Sequence, residues 1–570
     1  MRQTLAPADR QHPLLRDHAA GLRAAADRLL NSTRIRLDRL WAYYRNPLRI
    51  EPQLATDTAA AQRPYRQAQE WGLPPRITGV VSGTNVFDGA SLPGVSRKEV
   101  VIENDIGWRI ETQVDFLFGR PIVLNSASPD DNRRPQIESL LRQILAANGG
   151  LVFLQKLALL GAVYGQVDVL VKFTPDDADT APDNAAPTQQ LGSTDPAAVS
   201  ADGTPPPPGP PDAGPALDAP APQAAAPGDD PAPKPGATPT SQESLERLAR
   251  TIRFEIVDPT RALPLLDATD CRRADAFAVV YQLDRNPNQP TVKPAKWWQT
   301  PFSRPAFPQN AKRTIIELIT EYEWTTFDDG TIIAGGDNTL GRLPLVHIQN
   351  TADPLRYDGV SDVEPLIPLQ DELNTRLSDR AHRIALQSFK MYLGKGIENF
   401  TEFGVSPGRM WTSDNPDADI VELGGDANCP SEDVHIAEIR EALDKISGVS
   451  PVASSAIKGK IGNLTSAEAL RVTMMALLSR TERKRITYGT AISQLCELAL
   501  AWIDHAGLFT TTDADRAVQI HWPSPMPSNE AEQLALAKAK QSLGVPRDVV
   551  LRELGYADAP IPSPGTPGEG

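Results

Sequence analysis

A chain of 570 residues with 40% hydrophobic and 23% charged residues is long enough for one or two folded domains and apolar enough to bury a core. Its formal net charge of −15 is uneven: residues 175–240 hold ten Asp and a single basic residue, Lys234, a net of −9 that leaves −6 for the rest, which excludes a protein that coats nucleic acid through a broad basic face. The cysteines Cys271, Cys429 and Cys496 are too far apart for a disulfide framework or a CxxC zinc site, so a reducing interior is the simplest compartment.

The polar first twenty residues lack the apolar run of a signal peptide. Residues 22–45 carry a helical pattern, with Leu29, Leu30, Leu37, Leu40 and Trp41 among arginines read as solvated, and it closes on Tyr43-Tyr44-Arg45-Asn46-Pro47. In 99–125, Asn104 or Asp105 is placed to cap a helix whose apolar stripe is Ile106, Ile110, Val114 and Leu117. Gly119 and Pro121 end it. Residues 137–164 predict one or two core helices. Within them, 151–165 is the most membrane-like stretch, but Gln155 and Lys156 interrupt it and it is too short to span a bilayer, so no membrane partner is expected. A strand is predicted at 166–173. Residues 175–240 then hold 18 of the 53 prolines and no aromatic residue, too little apolar surface to offset the entropy of ordering. The strand pattern resumes at 252–257, so this insertion reads as a loop between paired strands. Further strands are predicted at 277–283, 314–320 and 322–327, with Asp328-Asp329-Gly330 turning into 331–333.

The stretch 341–396 organises the rest. Residues 343–348 read as a short buried strand, and a loop from Asn350 to Gly359 leads to Ser361 and Glu364 at capping-box spacing. Pro365 and Pro368 predict a kink or a regular helix that begins only there. Beyond them Leu369, Leu373, Leu377, Ala381 and Ala385 form one narrow stripe on a helix of roughly twenty residues, about 30 Å long. Residues 391–430 read as a small strand-and-turn module around 420–423. A second helix starts at Ser431 with Glu432 and Asp433 in its first turn, carries a seam of Ile436, Ile439, Leu443 and Ile446, and stops at Gly448. The loop 448–465 is free of acidic residues and carries Lys458 and Lys460. A phosphate-cradle reading fails on spacing, with Ser454 in place of the first Gly and Ile461 in place of the Ser/Thr hydroxyl. Residues 465–506 predict a helix near 60 Å whose basic band, Arg480, Arg483, Lys484 and Arg485, reads as a solvated face or as inter-subunit ion pairs. A Trp522-Pro523 segment and two short helices follow.

Several of these features resemble one family. Asn104-Asp105 followed by Gly119-x-Pro121, then Asn350, Gly359-x-Ser361-Asp362, Asp371-x-x-Asn374 and Ser378-Asp379, and finally Gly462-x-x-Thr465-Ser466 with Ala469-Leu470, are similar to the portal proteins of tailed bacteriophages and prophages. That family often has Gly where Ser466 or Ala467 stands, a departure at the tightest point of the last motif. The resemblance implies an α+β fold: a flexible segment 1–34, a mixed wing over 35–173 and 245–360 interrupted by a disordered insertion 174–244, a stem helix 361–390, a small β clip 391–430, a second stem helix 431–448, a tunnel loop 449–465, a long wing or channel helix 466–508, a C-terminal strand with crown helices 509–558, and a disordered tail 559–570. It implies a ring of twelve subunits at a capsid vertex, a conduit for double-stranded DNA in packaging and ejection. The partners it implies are the large terminase subunit, head-completion or adaptor proteins, scaffold and major capsid protein, in the virion and, during assembly, the host cytoplasm. Lys458 and Lys460 are then expected to face the channel as salt-sensitive phosphate contacts; an ordinary Gly-rich connection with two solvated lysines remains the alternative.

No constellation supports catalysis. The seven histidines are scattered, without HExxH or a Cys/His cluster, and no GxSxG occurs, so no catalytic residue, metal or cofactor is expected. The competing reading is a scaffold or adaptor of a phage-like particle that binds proteins without conducting DNA; a hydrolase with an unrecognised site stands far behind.

Overall fold

The computed structural model describes residues 18–50, 65–80, 97–174, 242–284, 312–387, 391–396, 414–423, 429–451, 471–525 and 530–554. The chain opens on α1 (His18–Arg28), a π turn at Leu29–Thr33 and α2 (Arg34–Arg45), one nearly continuous rod closed by Asn46 in the left-handed region at φ 42°. Of the segment 1–34 expected to be flexible, only residues 18–34 are described. There Leu22, Ala26 and Leu29 are buried against a sheet, because every third or fourth position of the rod is small or apolar and finds a partner there. A two-stranded ribbon, β1 (Leu48–Ile50) with β2 (Tyr65–Gln67), and a short α3 (Pro75–Thr78) lead to α4 (Asp105–Phe118).

Next come β3 (Val123–Ser126), α5 (Arg134–Ala147), α6 (Gly150–Tyr164) and β4 (Gln166–Phe173). The apolar stretch 151–165 is a core helix, with Phe153, Leu154, Leu157, Ala158 and Val163 buried; no single described helix is long and apolar enough to cross a membrane. After α7 (Gln242–Arg250), β5 (Ile252–Val257) pairs antiparallel with β4, Phe173 opposite Ile252. The chain therefore leaves and re-enters one hairpin, with residues 175–241 outside the described ones. The nine residues of α7 went unread because they adjoin the proline-rich run, yet Leu245, Leu248 and Ala249 join the core beside α5.

β6 (Ala262–Leu266), β7 (Ala274–Asp284), β8 (Lys312–Thr320), β9 (Glu323–Asp328) and β10 (Thr331–Asp337) form an antiparallel sheet in the order β10-β9-β8-β7-β6. The β9–β10 turn places Asp329 at φ 46° and Gly330 at φ 89°, the paired positive φ of a type I′ hairpin. A second sheet has the order β11-β4-β5, with β11 (Leu345–Gln349) antiparallel to β4. Its core-facing residues meet α5, α6 and the long helix in the largest apolar cluster.

A 3-10 turn at Glu364–Leu366 precedes α8 (Ile367–Gln387), so the prolines delay the regular helix as the sequence indicates. β12 (Met391–Lys395) and β13 (Asp419–Leu423) make a two-stranded antiparallel module, and α9 (Pro430–Ser447) returns, ended by Gly448 at φ 70°. On α9, Ile436, Ile439 and Leu443 are buried but Ile446 is 39% exposed, so the predicted seam stops one turn early. α10 (Met475–His505) is regular from Met475, after a break at Met474; the predicted start at 465 lies outside the described residues. β14 (Val518–His521) pairs with β3, and α11 (Glu530–Ser542) and α12 (Arg547–Glu553) close the description.

Candidate functional site

The base of the α8–α9 hairpin is where the motif residues converge. α4 begins there because Asn104 Oδ1 accepts the Gly107 amide at 3.2 Å while its Nδ2 donates to Tyr44 O at 2.9 Å. Gln69 Nε2 donates to Asn104 Oδ1 (2.7 Å) and to Tyr43 O (2.8 Å), and its Oε1 accepts from Asn374 Nδ2 at 3.0 Å. Asn374 Oδ1 in turn takes the Glu103 amide (3.0 Å) and Gln370 Nε2 (3.1 Å), while Ser378 Oγ receives the Val101 amide at 3.0 Å. Gln69, Gln370 and Asn374 are completely buried. The face of α8 expected to be a plain apolar stripe is thus a row of amides between leucines: Leu373 and Leu377 are buried, Leu369, Ala381 and Ala385 only half-buried. The other end of α4 is set by Gly119, where a Cβ would lie 2.3 Å from Asp115 O, and Pro121 follows on the way to β3.

One turn before Asn374, Asp371 accepts the Tyr43 hydroxyl at 2.7 Å. Its carboxylate rests on Gly72, where a Cβ would stand 1.9 Å from Oδ1, so only glycine permits the approach. Burial pushes the Asp371 carboxyl up to about 6, partly offset by the Tyr43 hydrogen bond and by Arg39.

A second polar cluster lies under the hairpin's first turn. Ser361 Oγ accepts the Val363 and Glu364 amides at 3.1 and 3.2 Å and donates to Val163 O at 2.6 Å. The return half of the capping box is absent: Glu364 pairs with Arg36 at 2.6 Å instead, because the α2 arginine offers a charge-assisted bond. Asp362 Oδ2 is 2.6 Å from Lys484 Nζ and 2.7 Å from Asn350 Nδ2. Lys484 also donates to Gln113 Oε1 at 2.9 Å, and Tyr488 OH donates to Asn350 Oδ1 at 3.3 Å. Lys484 is fully enclosed, and burial pushes its ammonium below the ordinary lysine range against the opposing pull of Asp362. Gly165 at φ +91° and Gly359 meet backbone to backbone; a Cβ on Gly359 would be 2.3 Å from Gly165 O.

The exit of α9 is gripped as firmly. Arg109, buried on α4, donates to Ser447 Oγ and Val449 O, both at 3.0 Å, and lies 2.6 Å from Asp444. Ser447 O accepts from Gln113 Nε2 (3.2 Å) and Arg480 Nη1 (2.5 Å), and Ile446 O from Arg480 Nη2 (3.1 Å). Cations at a helix C-terminus satisfy its orphan carbonyls and its dipole together. Gly448 sits against Ala476, where a Cβ would be 3.7 Å from the Ala476 carbonyl carbon, so the loop that leaves α9 starts and finishes at one place. Lys458, Lys460, Ser466 and Leu470 lie outside the described residues.

The structure therefore joins Asn104 to Asn374 through Gln69, and Asn350 to Asp362, and it adds Gln113, Arg109, Lys484 and Tyr488. The basic band is corrected in part: Arg483 is exposed, but Lys484 is a core residue and Arg480 a helix cap, both spent within the chain. The signal existed, since Lys484 is seven residues after Leu477 and four before Tyr488, on the buried line of α10. His347 is not isolated either. Its Nδ1 is 2.8 Å from Asp168 Oδ1 on β4, its Nε2 is 2.8 Å from Tyr357 O, and its ring stacks on Tyr357 at 3.7 Å, so the ring links β4 to the loop after β11. Among the described residues no three His, Cys, Asp or Glu side chains gather as metal ligands.

Polar side chains that bond one another and tie the two ends of a helical hairpin to a sheet-and-helix body make a structural element, with strands at its tip and a loop at its root. The model of the phage portal protein family, SPP1 Gp6-like, matches residues 246–559, and the chain belongs to that family, whose members are structural proteins. No curated protein matches it. Among solved structures it is similar to a chain of "Virion of native gene transfer agent (GTA) particle", at 10% identity and a TM-score of 0.36, over 79% of this chain and 88% of that one.

Proposed function

We propose that the chain is the subunit of a portal: a ring of about twelve copies at the capsid vertex through which double-stranded DNA enters and leaves. The observation that carries this reading is the family match over α8, β12, β13, α9 and α10, taken with the clamped base of the α8–α9 hairpin. Identical hairpins side by side, each fixed at its root, wall a channel whose bore is set by geometry, and head-to-tail contacts close it by rotation. The hairpin tip at β12 and β13 is the docking end for the large terminase subunit and head-completion proteins, and the body faces scaffold and major capsid protein. Lys458 and Lys460 on the loop between α9 and α10 act as point charges toward passing phosphates. The balanced charge outside residues 175–240 suits a passage along which DNA slides, since release of many counterions on a basic bore holds it.

Electron microscopy and native mass spectrometry of the purified protein, alone and co-expressed with scaffold, test this. Rings of about a dozen subunits with a hole of duplex width, roughly 20 Å, are expected. A strict monomer in both preparations moves the chain to an adaptor role. Packaging that keeps its rate and salt dependence in Lys458→Ala/Lys460→Ala removes the two lysines from the DNA path.

A further inference from the structure

β10 is an anomaly on the surface. It is the outer strand of its sheet, and all seven residues, Thr-Ile-Ile-Ala-Gly-Gly-Asp, are exposed, including Ile332 at 60% and Ile333 at 58%. Folded proteins blunt such edges with lysine, proline or a cover, because an unpaired row of N–H and C=O groups templates another strand. β10 has no charge before its last residue and no proline.

Its ends are acidic, and unequally so. At the turn, Asp328 pairs with Arg313 and Asp329 with Arg23, each at 3.1 Å. At the far end Glu323 and Asp337 face each other directly across β9 and β10, like charges in a position that ordinarily destabilises a sheet, and neither meets a cation among the described residues. Before it, Gly335 and Gly336 leave the edge without side chains of its own. Gly336 is covered on one face by the Trp324 ring, where a Cβ would approach to 3.0 Å. A fitting occupant is therefore an extended, uncharged segment of bulky residues with one cation at the end that meets Glu323 and Asp337.

The chain contains one. Residues 285–311, between β7 and β8 and outside the described residues, carry Arg285, Lys293, Lys296 and Arg304 and no acid. Between Pro294 and Pro301 lie six proline-free residues, Ala-Lys-Trp-Trp-Gln-Thr. We infer that β10 receives residues 295–300 of the neighbouring copy as an added antiparallel strand, with Lys296 beside Glu323 and Asp337. In that register Trp298 stands opposite Gly335, a large ring beside a bare strand position, and Trp297 stands opposite Gly336, on the face where the Trp324 ring lies. Donor and acceptor are different surfaces, so the contact is heterologous and propagates round a ring, whereas β10 against β10 makes only a two-fold dimer. The inference rests on the ring reading and names how neighbours hold one another.

The test uses the full chain with Cys271→Ser and Cys429→Ser. One preparation carries Gln299→Cys, another Ala334→Cys; they are mixed, assembled and oxidised. A covalent dimer is expected only from the mixture, with rings intact by microscopy. Rings without that dimer overturn the strand contact and leave the ring reading standing. A chain carrying both cysteines that closes on itself while the mixture stays unlinked also overturns it. Absence of rings altogether, in unsubstituted protein as well, removes the ring reading and this contact with it. Independently, Lys296→Glu and Asp337→Lys are each expected to lower the assembled fraction at least tenfold at low salt, and the two together in one chain to restore it; no change in either overturns the contact.

Discussion

Lys484 Nζ lies 2.6 Å from Asp362 Oδ2 with both side chains buried, and Arg480 Nη1 stands 3.7 Å from its Oδ1, so ion pairs join the longest helix to the turn that launches the hairpin. Replacing Lys484 with Met leaves the enclosed carboxylate to the longer contact with Arg480 and to Asn350, which costs about 3 kcal/mol. Adding Asp362→Asn is expected to return at least half of that, since a neutral amide still accepts from Asn350. Guanidinium unfolding with an unchanged m-value measures both. A Lys484→Met cost below about 1 kcal/mol means that the pair is not coupled.

Asn374 is the centre of the buried amide row. Asn374→Ala leaves Gln69 Oε1 and the Glu103 amide without partners, each worth about 1–3 kcal/mol, so a loss of about 3 kcal/mol is expected in thermal unfolding. Hydrogen exchange at the Glu103 amide should accelerate in step. Leu386→Ala, 65% exposed on the same helix, serves as the control and is expected within about 0.5 kcal/mol.

Asp371 makes stability depend on pH. Its folded value of about 6 is above the ~3.9 of an unfolded aspartate, so between these two values the folded chain binds the extra proton. Stability contributed by this group is present below pH ~4 and is lost as pH rises to about 6. Asp371→Asn keeps an acceptor for Tyr43 and cannot ionise. It is expected to flatten that slope and to raise the midpoint at pH 7.5, by about 1–2 kcal/mol once solvent access is allowed for. An unchanged slope between pH 4 and 6 excludes Asp371 as its source.

Gly161 and Tyr488 form a close contact between α6 and α10: a Cβ on Gly161 would stand 2.0 Å from the Tyr488 hydroxyl and 3.2 Å from the ring carbon that bears it. Gly161→Ala is expected to cost about 2–3 kcal/mol by overpacking, and markedly less in a Tyr488→Phe background. A double-mutant cycle with a coupling energy near zero contradicts the contact.

Much of the architecture was legible because period and punctuation agree locally. Asn104 before Ile106 and Ile110 gives α4, Gly448 after Leu443 gives the end of α9, and Asp329-Gly330 between apolar runs gives the β9–β10 hairpin. The motif residues were legible as positions but not as partners: Asn104 and Asn374 meet through Gln69, a residue with no motif of its own. Lys484 was misread because charge was weighed by composition, as one of four cations in a band, when its place in the 3.6-residue period carried the information. α7 was missed since nine residues beside a proline-rich run give too short a window for a periodic signal. β6 was missed because Pro264 argues against a strand except at an edge, which is where it lies.

The hairpin is not uniformly held. From Ile367 to Ser378 α8 is locked by buried amides and leucines, but from Ala381 to Gln387 no residue is fully buried. There α8 meets α9 through Arg380 with Asp433 at 2.8 Å and Arg383 with Glu432, contacts at or near the surface that water and salt weaken. Mechanically this is a cantilever, rigid at its root and compliant toward its tip. Ionic strength is expected to tune its bending stiffness, so the strands at its end can move while the body stays still.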